Sequence, residues 1–194
     1  MDRIDWKKEI ITIPNLLSVF RLLLVPVAMN LYLKATNPMQ YYFAGGMLSL
    51  ACFTDALDGF IARHWNMVST LGKVLDPLAD KVTQLTVTVC LCTKYPVLRV
   101  VLLLLTVKEL FQLTAGICHL KKGKMLPGAL SAGKISTAVL FISLIYLVLF
   151  PNVSAEWVQI LAALNTGLLT YSFVSYVFAY FGKHPKVQDL RGEY

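Results

Sequence analysis

The sequence predicts an all-α integral membrane protein with six transmembrane helices and a short amphipathic helix at the N-terminus. Of its 194 residues, 57% are hydrophobic and only 15% are charged, against ~25% charged residues in an average soluble domain. The apolar residues are gathered in runs of ~20, the length of helix that crosses a hydrocarbon core of ~30 Å. The composition therefore excludes an ordinary soluble domain and makes membrane lipids the surroundings of this chain.

The order of charged and apolar residues places each element. Residues 1–12 mix isoleucines and a tryptophan with charged residues, which indicates a helix lying in the membrane interface. Pro14 then opens the first span, and Gly45 and Gly46 in the second span indicate close packing against another helix. No repeat or second domain is evident, so residues 1–194 are expected to form one membrane domain. The six spans are predicted at about 14–33, 40–62, 72–93, 96–119, 133–150 and 156–181.

The distribution of lysine and arginine predicts which side of the membrane each loop faces. Cytoplasmic loops of membrane proteins carry an excess of these residues. With both termini inside, the cytoplasmic segments hold twelve of them and the opposite side only Lys34, Lys94 and Arg99. The sequence therefore predicts a multi-pass protein with both termini in the cytoplasm. Its net charge of +7 is explained by these loops and by anionic lipid, not by nucleic-acid binding.

Four aspartates close together in this apolar chain are the strongest indication of function. Asp55 and Asp58 are spaced i, i+3 near the end of the second predicted span. Asp76 and Asp80 are spaced i, i+4 near the start of the third. On a helix, each spacing projects both carboxylates from one face. Carboxylates beside lipid are very costly unless a cation neutralises them, so the pattern predicts a metal site at the cytoplasmic ends of these spans.

The residue types in this cluster indicate the metal and the chemistry. Oxygen ligands suit Mg²⁺ or Mn²⁺, and the absence of histidine from the cluster argues against zinc. Carboxylate-bound Mg²⁺ recurs in phosphoryl transfer, where the metal binds phosphate oxygens and neutralises developing charge. Gly59 and Ala62, on the same helix as the first pair, leave room for a bulky ligand, and Arg63 suits a phosphate.

The residues alone also allow two roles for the aspartates that involve no catalysis. The first is a buried ion-pair network without a ligand, in which Arg63, Lys73 and Lys81 would be the partners. The second is a transporter with an acidic intramembrane site on the path of its ions. Four carboxylates on two helices exceed what structural pairing needs, so an enzyme site is the favoured interpretation.

The same residues resemble the signature of a known family. The pattern Asp55-x2-Asp58-Gly59-x2-Ala62-Arg63-x8-Gly72-x3-Asp76-x3-Asp80 matches, position by position, the signature of the CDP-alcohol phosphatidyltransferases. The segment Ile13-Pro14-Asn15-Leu16-Leu17 followed by Arg21 is similar to the bacterial phosphatidylglycerophosphate synthase branch of that family. Together these motifs cover the first half of the chain.

The resemblance implies a fold, a reaction and roles for residues. Members have six transmembrane helices, a cytosol-facing polar cavity and usually a homodimeric assembly. They transfer a phosphatidyl group from a CDP-linked lipid to an alcohol, which implies CDP-diacylglycerol as donor, two Mg²⁺ or Mn²⁺ ions and a bacterial inner membrane as location. Metal binding would fall to Asp55, Asp58, Asp76 and Asp80, of which Asp80 would also act as general base. The CDP-lipid would be bound by Asp55, Asp58, Gly59, Ala62, Arg63 and Gly72.

The identity of the acceptor depends on the second half of the chain. Glycerol 3-phosphate, the acceptor of that branch, is a small dianion that needs a basic pocket, and the candidate acceptor-binding residues are Lys108, Lys124 and Lys134. Lys108 and Glu109 lie in the middle of a span, where charge is costly, so they are expected to line a cavity or pair with polar groups. This pair stands where an Arg-Glu pair is usual in the branch, which keeps the charge but loses the planar fork. Ala115-Gly116-Ile117 stands where Gly-Leu-Arg is usual, so the basic set is one arginine thinner. Phosphatidylglycerol is therefore the alternative acceptor, and the chain would then be a cardiolipin synthase.

Overall fold

The computed structural model describes most of the chain, including the backbone of all six predicted spans. The backbone is described over residues 13–64, 72–121, 124–125, 130–182 and 188–189, and the side chains over 19–51, 78–121 and 130–182. The interfacial helix predicted at 1–12 lies outside the described residues.

Helices account for nearly all of the described backbone. They are α1 (Ile13–Lys34), α2 (Pro38–His64), α3 (Gly72–Lys94), α4 (Leu98–Lys121), α5 (Ser131–Leu149) and α6 (Ala155–Phe181). Each begins and ends within two residues of a predicted span, so the helical class and the order of the elements are confirmed. Over the described residues, α4, α5 and α6 are long and apolar enough to cross a membrane.

Many of the outward side chains of α4, α5 and α6 are large and apolar. Leu103 on α4 is 64% exposed, Ile142 on α5 is 68% exposed and Phe178 on α6 is 66% exposed. Large apolar side chains turned outward along whole helices are unfavourable in water and suit a hydrocarbon environment. The chain is therefore a membrane protein.

The helices form two compact units, residues 1–91 with 145–152 and residues 92–144 with 153–194. In the first unit, α1 and α2 form a helical hairpin that turns at Asn37. Its side-chain Oδ1 accepts a hydrogen bond from the backbone N–H of Gln40 at 3.0 Å, so Asn37 caps the start of α2. The rings of Tyr32 and Tyr41 meet edge to face across the hairpin, with centroids 5.1 Å apart.

The glycines of α2 show close packing at one position and not at the next. A Cβ atom at Gly45 would lie 3.1 Å from Cδ2 of Leu149, so the predicted close approach of another helix is confirmed there. A Cβ atom at Gly46 would meet no described atom within 4 Å, so close packing at Gly46 is not seen among the described residues and stays a prediction. The two residues point to different sides of α2, because successive positions on a helix are rotated by ~100°.

In the second unit, aromatic rings and one polar contact join the helices. Phe111 on α4 packs edge to face against Phe173 on α6, with ring centroids 5.2 Å apart. Asn165 on α6 donates from Nδ2 to Oγ of Ser143 on α5 at 2.9 Å, and both side chains are buried. Hydrogen bonds of this kind hold membrane helices together where no hydrophobic effect acts between them.

A short strand pair is the one departure from the predicted all-α class among the described residues. The strands β1 (Lys124–Met125) and β2 (Gln188–Asp189) pair antiparallel, with Lys124 opposite Asp189. Two-residue strands carry no alternating pattern, so they could not be predicted from the sequence. The pair joins the backbone of the α4–α5 loop to that of the C-terminal segment.

Candidate active site

The described centre of the candidate site is an ion pair between Asp80 on α3 and Arg21 on α1. Nη1 of Arg21 donates to Oδ1 of Asp80 at 2.5 Å. The arginine side chain is only 2% exposed, whereas that of the aspartate is 50% exposed. A guanidinium inside an apolar protein is very costly without a charged partner, and the carboxylate supplies one. The partners predicted for the aspartates in a structural ion-pair network were Arg63, Lys73 and Lys81. A partner observed for Asp80 is Arg21, which was not among them.

A polar face continues along α3 beyond Asp80. Thr83, Gln84 and Thr88 are 2%, 3% and 0% exposed, and Oγ1 of Thr88 donates to the carbonyl oxygen of Gln84 at 2.7 Å. Residues spaced by three, four and eight positions from Asp80 lie on the same side of a helix. This face was not predicted from the sequence. The available signal was the spacing of four residues, which continues from Asp76 and Asp80 to Gln84 and Thr88.

The other predicted metal and CDP-lipid residues are placed only at the level of the backbone. Asp55, Asp58, Gly59, Ala62 and Arg63 lie on the last turns of α2. Gly72 is the first residue of α3 and Asp76 lies one turn before Asp80. The predicted contacts of these side chains lie outside the described residues. Among the side chains that are described, no group of three possible metal ligands occurs.

The donor chemistry of the site fits a hard divalent cation. The four predicted ligands all offer carboxylate oxygens, which Mg²⁺ and Mn²⁺ prefer. Asp80 is the member of this set whose side chain is described, and its half-exposed carboxylate is already held in place by Arg21. Because that orientation is supplied by the protein, Asp80 is suited to receive a ligand without rearrangement.

Lys108 and Glu109 form a buried ion pair on α4. Nζ of Lys108 lies 2.8 Å from Oε1 of Glu109, and their side chains are 3% and 14% exposed. Of the two expectations for these residues, the pairing with a polar group is confirmed, since each is a partner of the other, and the favoured cavity role stays a prediction. Their role in binding an acceptor stays a prediction.

The start of α5 combines an exposed lysine with a tightly packed glycine. Lys134 is exposed, whereas a Cβ atom at the preceding Gly133 would lie 2.5 Å from Oη of Tyr176. That hydroxyl also accepts a hydrogen bond from the backbone N–H of Leu130 at 3.3 Å. A larger residue here would force the buried ring of Tyr176 to shift, because α6 places its tyrosine directly against the α5 backbone. This contact anchors the turn from which Lys134 projects.

Comparison with known proteins defines the class to which this fold and site belong. Residues 11–171 match the model of the CDP-alcohol phosphatidyltransferase family, and the chain belongs to that family. Membership in a family of transferases argues for an enzyme and against the transporter interpretation.

Similar proteins within the family carry two different names. The chain is 32% identical over 172 residues to the CDP-diacylglycerol–glycerol-3-phosphate 3-phosphatidyltransferase of Shigella flexneri serotype 5b, covering 86% of this chain and 93% of the relative. It is 54% identical over 72 residues to the cardiolipin synthase (CMP-forming) of Rattus norvegicus, covering 37% of this chain and 22% of the relative. It is 43% identical over 70 residues to the CDP-diacylglycerol–glycerol-3-phosphate 3-phosphatidyltransferase of Cereibacter sphaeroides, covering 36% of this chain and 32% of the relative. The chain thus spans 22% of the rat protein and 32% of the Cereibacter protein.

Proposed function

We propose that this chain transfers a phosphatidyl group from CDP-diacylglycerol to glycerol 3-phosphate, producing phosphatidylglycerophosphate and CMP. The observation that carries the proposal is Asp80, the last aspartate of the family pattern, held by a buried arginine within membrane-length helices. The Shigella protein that bears the name of this reaction matches over 93% of its length. With a divalent cation bound, a carboxylate in this setting would suit a diphosphate that a lipid holds at the membrane surface.

The reaction divides into bond changes for which the chain supplies specific groups. The acceptor hydroxyl oxygen attacks the lipid-side phosphorus, a new P–O bond forms, and the P–O bond to CMP breaks. The proton of the hydroxyl passes to Asp80 as general base. Asp80 is half-exposed and held at one oxygen by Arg21, so its carboxylate is accessible and oriented. Arg63 would bind phosphate through its planar fork.

The acidic residues of the family pattern would hold the metal ions of this site. When bound, two Mg²⁺ or Mn²⁺ ions would neutralise the diphosphate and stabilise the departing CMP. The ligands in this proposal are Asp55, Asp58, Asp76 and Asp80, and the nucleotide would be admitted beside the small residues Gly59, Ala62 and Gly72. The support for this set is the preference of hard cations for carboxylate oxygens.

The basic residues of the second half would recognise the acceptor phosphate. Lys134 is exposed at the first turn of α5, which makes its ammonium group available to a dianion. Lys124 belongs to the strand pair beside the C-terminal segment. Lys108 is buried against Glu109, so its charge is already neutralised, and it is the weakest of the three acceptor candidates.

Phosphatidylglycerol is the second candidate acceptor, and the chain would then be a cardiolipin synthase. The observation that favours it is the 54% identity to the rat cardiolipin synthase over 72 residues. The pairing of Lys108 with Glu109 also reduces the positive charge available for a small dianion.

One assay separates the two acceptors. Purified protein is given CDP-diacylglycerol and Mg²⁺ with either glycerol 3-phosphate or phosphatidylglycerol, and CMP and the lipid products are resolved. We expect phosphatidylglycerophosphate with the first acceptor and no cardiolipin with the second. Cardiolipin formation without incorporation of glycerol 3-phosphate would replace the leading assignment by the second, and no CMP release with either would contradict both.

The proposed setting is a bacterial inner membrane with the active site and both termini in the cytoplasm. The excess of lysine and arginine in the loops on that side supports the orientation, and the bacterial relatives support the location. A homodimer is part of the proposal. It would cover some of the outward apolar surface that lipid otherwise covers.

A further inference from the structure

We propose that Arg21 is a positioning residue for Asp80, a role that rests on the proposed phosphatidyl transfer. The two residues lie 59 positions apart, and Nη1 of the arginine donates to Oδ1 of the aspartate at 2.5 Å. The family pattern of four aspartates does not include Arg21. Its assignment to the site comes from this contact between α1 and α3.

The arginine is held more firmly than the aspartate. Arg21 lies on the buried face of α1, with Val25, Ala28 and Tyr32 following it at helical spacing, and all four are at most 2% exposed. A side chain packed on every side has few rotamers available. The guanidinium is thus fixed by the packing of α1, and it fixes in turn the half-exposed carboxylate of Asp80.

A carboxylate that acts as a base or a metal ligand must present its oxygens in a defined direction. A charge-assisted hydrogen bond to Oδ1 restricts rotation of the Asp80 carboxylate and so determines where its other oxygen lies. Under the proposed function, the same bond would also offset part of the repulsion from the other three predicted ligand carboxylates before cations bind. Arginine suits this task better than lysine, because its planar fork is directional whereas an ammonium group is a point charge.

The kinetic test compares variants at Arg21 with a matched change elsewhere. Arg21→Gln removes the charge, Arg21→Lys retains it without the fork, and Arg99→Gln makes the same change at an exposed arginine of α4. For Arg21→Gln we expect kcat for CMP release to fall ~10- to 100-fold, the range for residues that orient a functional group. The KM values for both substrates should change less than ~3-fold, which indicates a loss confined to the reacting complex. The fall in kcat should be smaller for Arg21→Lys, and the kcat of Arg99→Gln should equal that of the wild type.

A double-variant comparison shows whether Arg21 acts through Asp80. If it does, Arg21→Gln should add no further loss of kcat in the Asp80→Asn background, because the group that it positions is already absent. An equal fold-loss in both backgrounds would mean that Arg21 supports the fold or contacts substrate by itself. That result would overturn the proposal.

A second readout needs neither the lipid nor turnover. Mn²⁺ is titrated into purified protein and free Mn²⁺ is measured by electron paramagnetic resonance. Arg21→Gln should weaken Mn²⁺ binding by ~10-fold or more, and the difference should vanish in the Asp80→Asn background. Tighter binding in Arg21→Gln would mean that the arginine acts as a competing charge and not as a positioning residue, which would overturn the proposal.

The two readouts separate failure of this inference from failure of the proposed function. A wild type that binds Mn²⁺ but releases no CMP with either acceptor contradicts the function, and the Mn²⁺ titration then decides the role of Arg21. A wild type that does neither overturns both. Thermal melting in detergent shows whether Arg21→Gln folds. If it does not, the Arg21→Lys variant tests the positioning role instead. A wild-type kcat together with a wild-type Mn²⁺ affinity in Arg21→Lys would then overturn the proposal.

Discussion

Several buried polar residues in the described part of this protein are held by a hydrogen bond or an ion pair. Arg21, Lys108 and Tyr176 are at most 4% exposed, and each makes a hydrogen bond or ion pair. A buried polar group without a partner destabilises a protein, and more so a membrane protein, because no water is available to replace the partner. A substitution that removes the partner of such a residue therefore lowers stability more than the same substitution at an exposed residue.

Tyr176→Phe tests the contact that anchors the start of α5. The variant removes the hydroxyl that accepts from the backbone N–H of Leu130 at 3.3 Å and leaves that donor unsatisfied. We expect the free energy of unfolding to fall by about 1 kcal/mol, measured as a lower midpoint of denaturation in detergent. Tyr171→Phe, at a side chain that is 65% exposed, is the control and should have no effect. Equal midpoints for both variants would show that the hydroxyl makes no contribution.

Lys134→Ala tests whether the exposed lysine at the start of α5 recognises the acceptor. Loss of one charge-assisted contact should raise the KM for glycerol 3-phosphate about 10-fold, with the KM for CDP-diacylglycerol unchanged. The control is Lys34→Ala, which changes an exposed lysine at the other predicted side of the membrane. Steady-state CMP release against acceptor concentration provides the measurement, and an unchanged KM would exclude Lys134 from the acceptor site.

The residue-scale contacts were only partly predictable from the sequence. The spacing of the four aspartates identified Asp80, because helical periodicity is a local property. Its partner Arg21 lies 59 residues away, and a pairing between separate helices depends on how they pack. Close packing is observed at Gly45 and, among the described residues, not at Gly46, and composition does not tell which side of a helix meets a neighbour.

Whole helices are joined at a few polar positions within largely apolar surfaces. In the second unit, Nδ2 of Asn165 on α6 donates to Oγ of Ser143 on α5. It also donates to the carbonyl oxygen of Leu161 in its own helix. Such contacts fix the rotation of one helix against another, because an apolar surface alone permits several registers. In the second unit this contact joins α5 to α6.

Asn165→Ala should loosen the association of α5 with α6. Loss of the interhelical bond is expected to lower the free energy of unfolding by about 0.6 to 2 kcal/mol, the range for hydrogen bonds between membrane helices. Thr170→Ala is the matched control, since its hydroxyl is exposed and bonds within its own helix to the carbonyl oxygen of Thr166. The check is a pair of denaturation curves in the same detergent, and a variant as stable as the control would show that the contact is dispensable.

Helix positions were the most predictable feature at this scale. The run of apolar residues sets the length of each span, so α3 was expected at 72–93 and is found at Gly72–Lys94. The strand pair of Lys124–Met125 with Gln188–Asp189 was not expected, because it depends on the C-terminal segment returning to the α4–α5 loop. Pairing between distant segments this short leaves no periodic signal.

At the scale of the molecule, large apolar side chains face outward on the described helices, and a charged pair meets within the first unit. Outward residues such as Leu103 and Ile142 suit lipid, whereas Asp80 and Arg21 meet inside the first unit. A CDP-linked lipid has the same division, with apolar tails and a charged diphosphate. The proposed function follows from this correspondence and from membership in the CDP-alcohol phosphatidyltransferase family.

The most direct test of the proposed catalysis is CMP release from CDP-diacylglycerol and glycerol 3-phosphate by the wild type and by Asp80→Asn. We predict that the wild type forms CMP and phosphatidylglycerophosphate in equal amounts, stops when EDTA removes divalent cations, and resumes on addition of Mg²⁺ or Mn²⁺. Asp80→Asn should remain folded with a lowered melting midpoint, because Arg21 loses its charged partner, and should lose at least ~100-fold in rate, the contribution of a positioned base. A folded Asp80→Asn variant with near wild-type rate, or a wild type indifferent to EDTA, would contradict the proposed role of Asp80 and of the metal site.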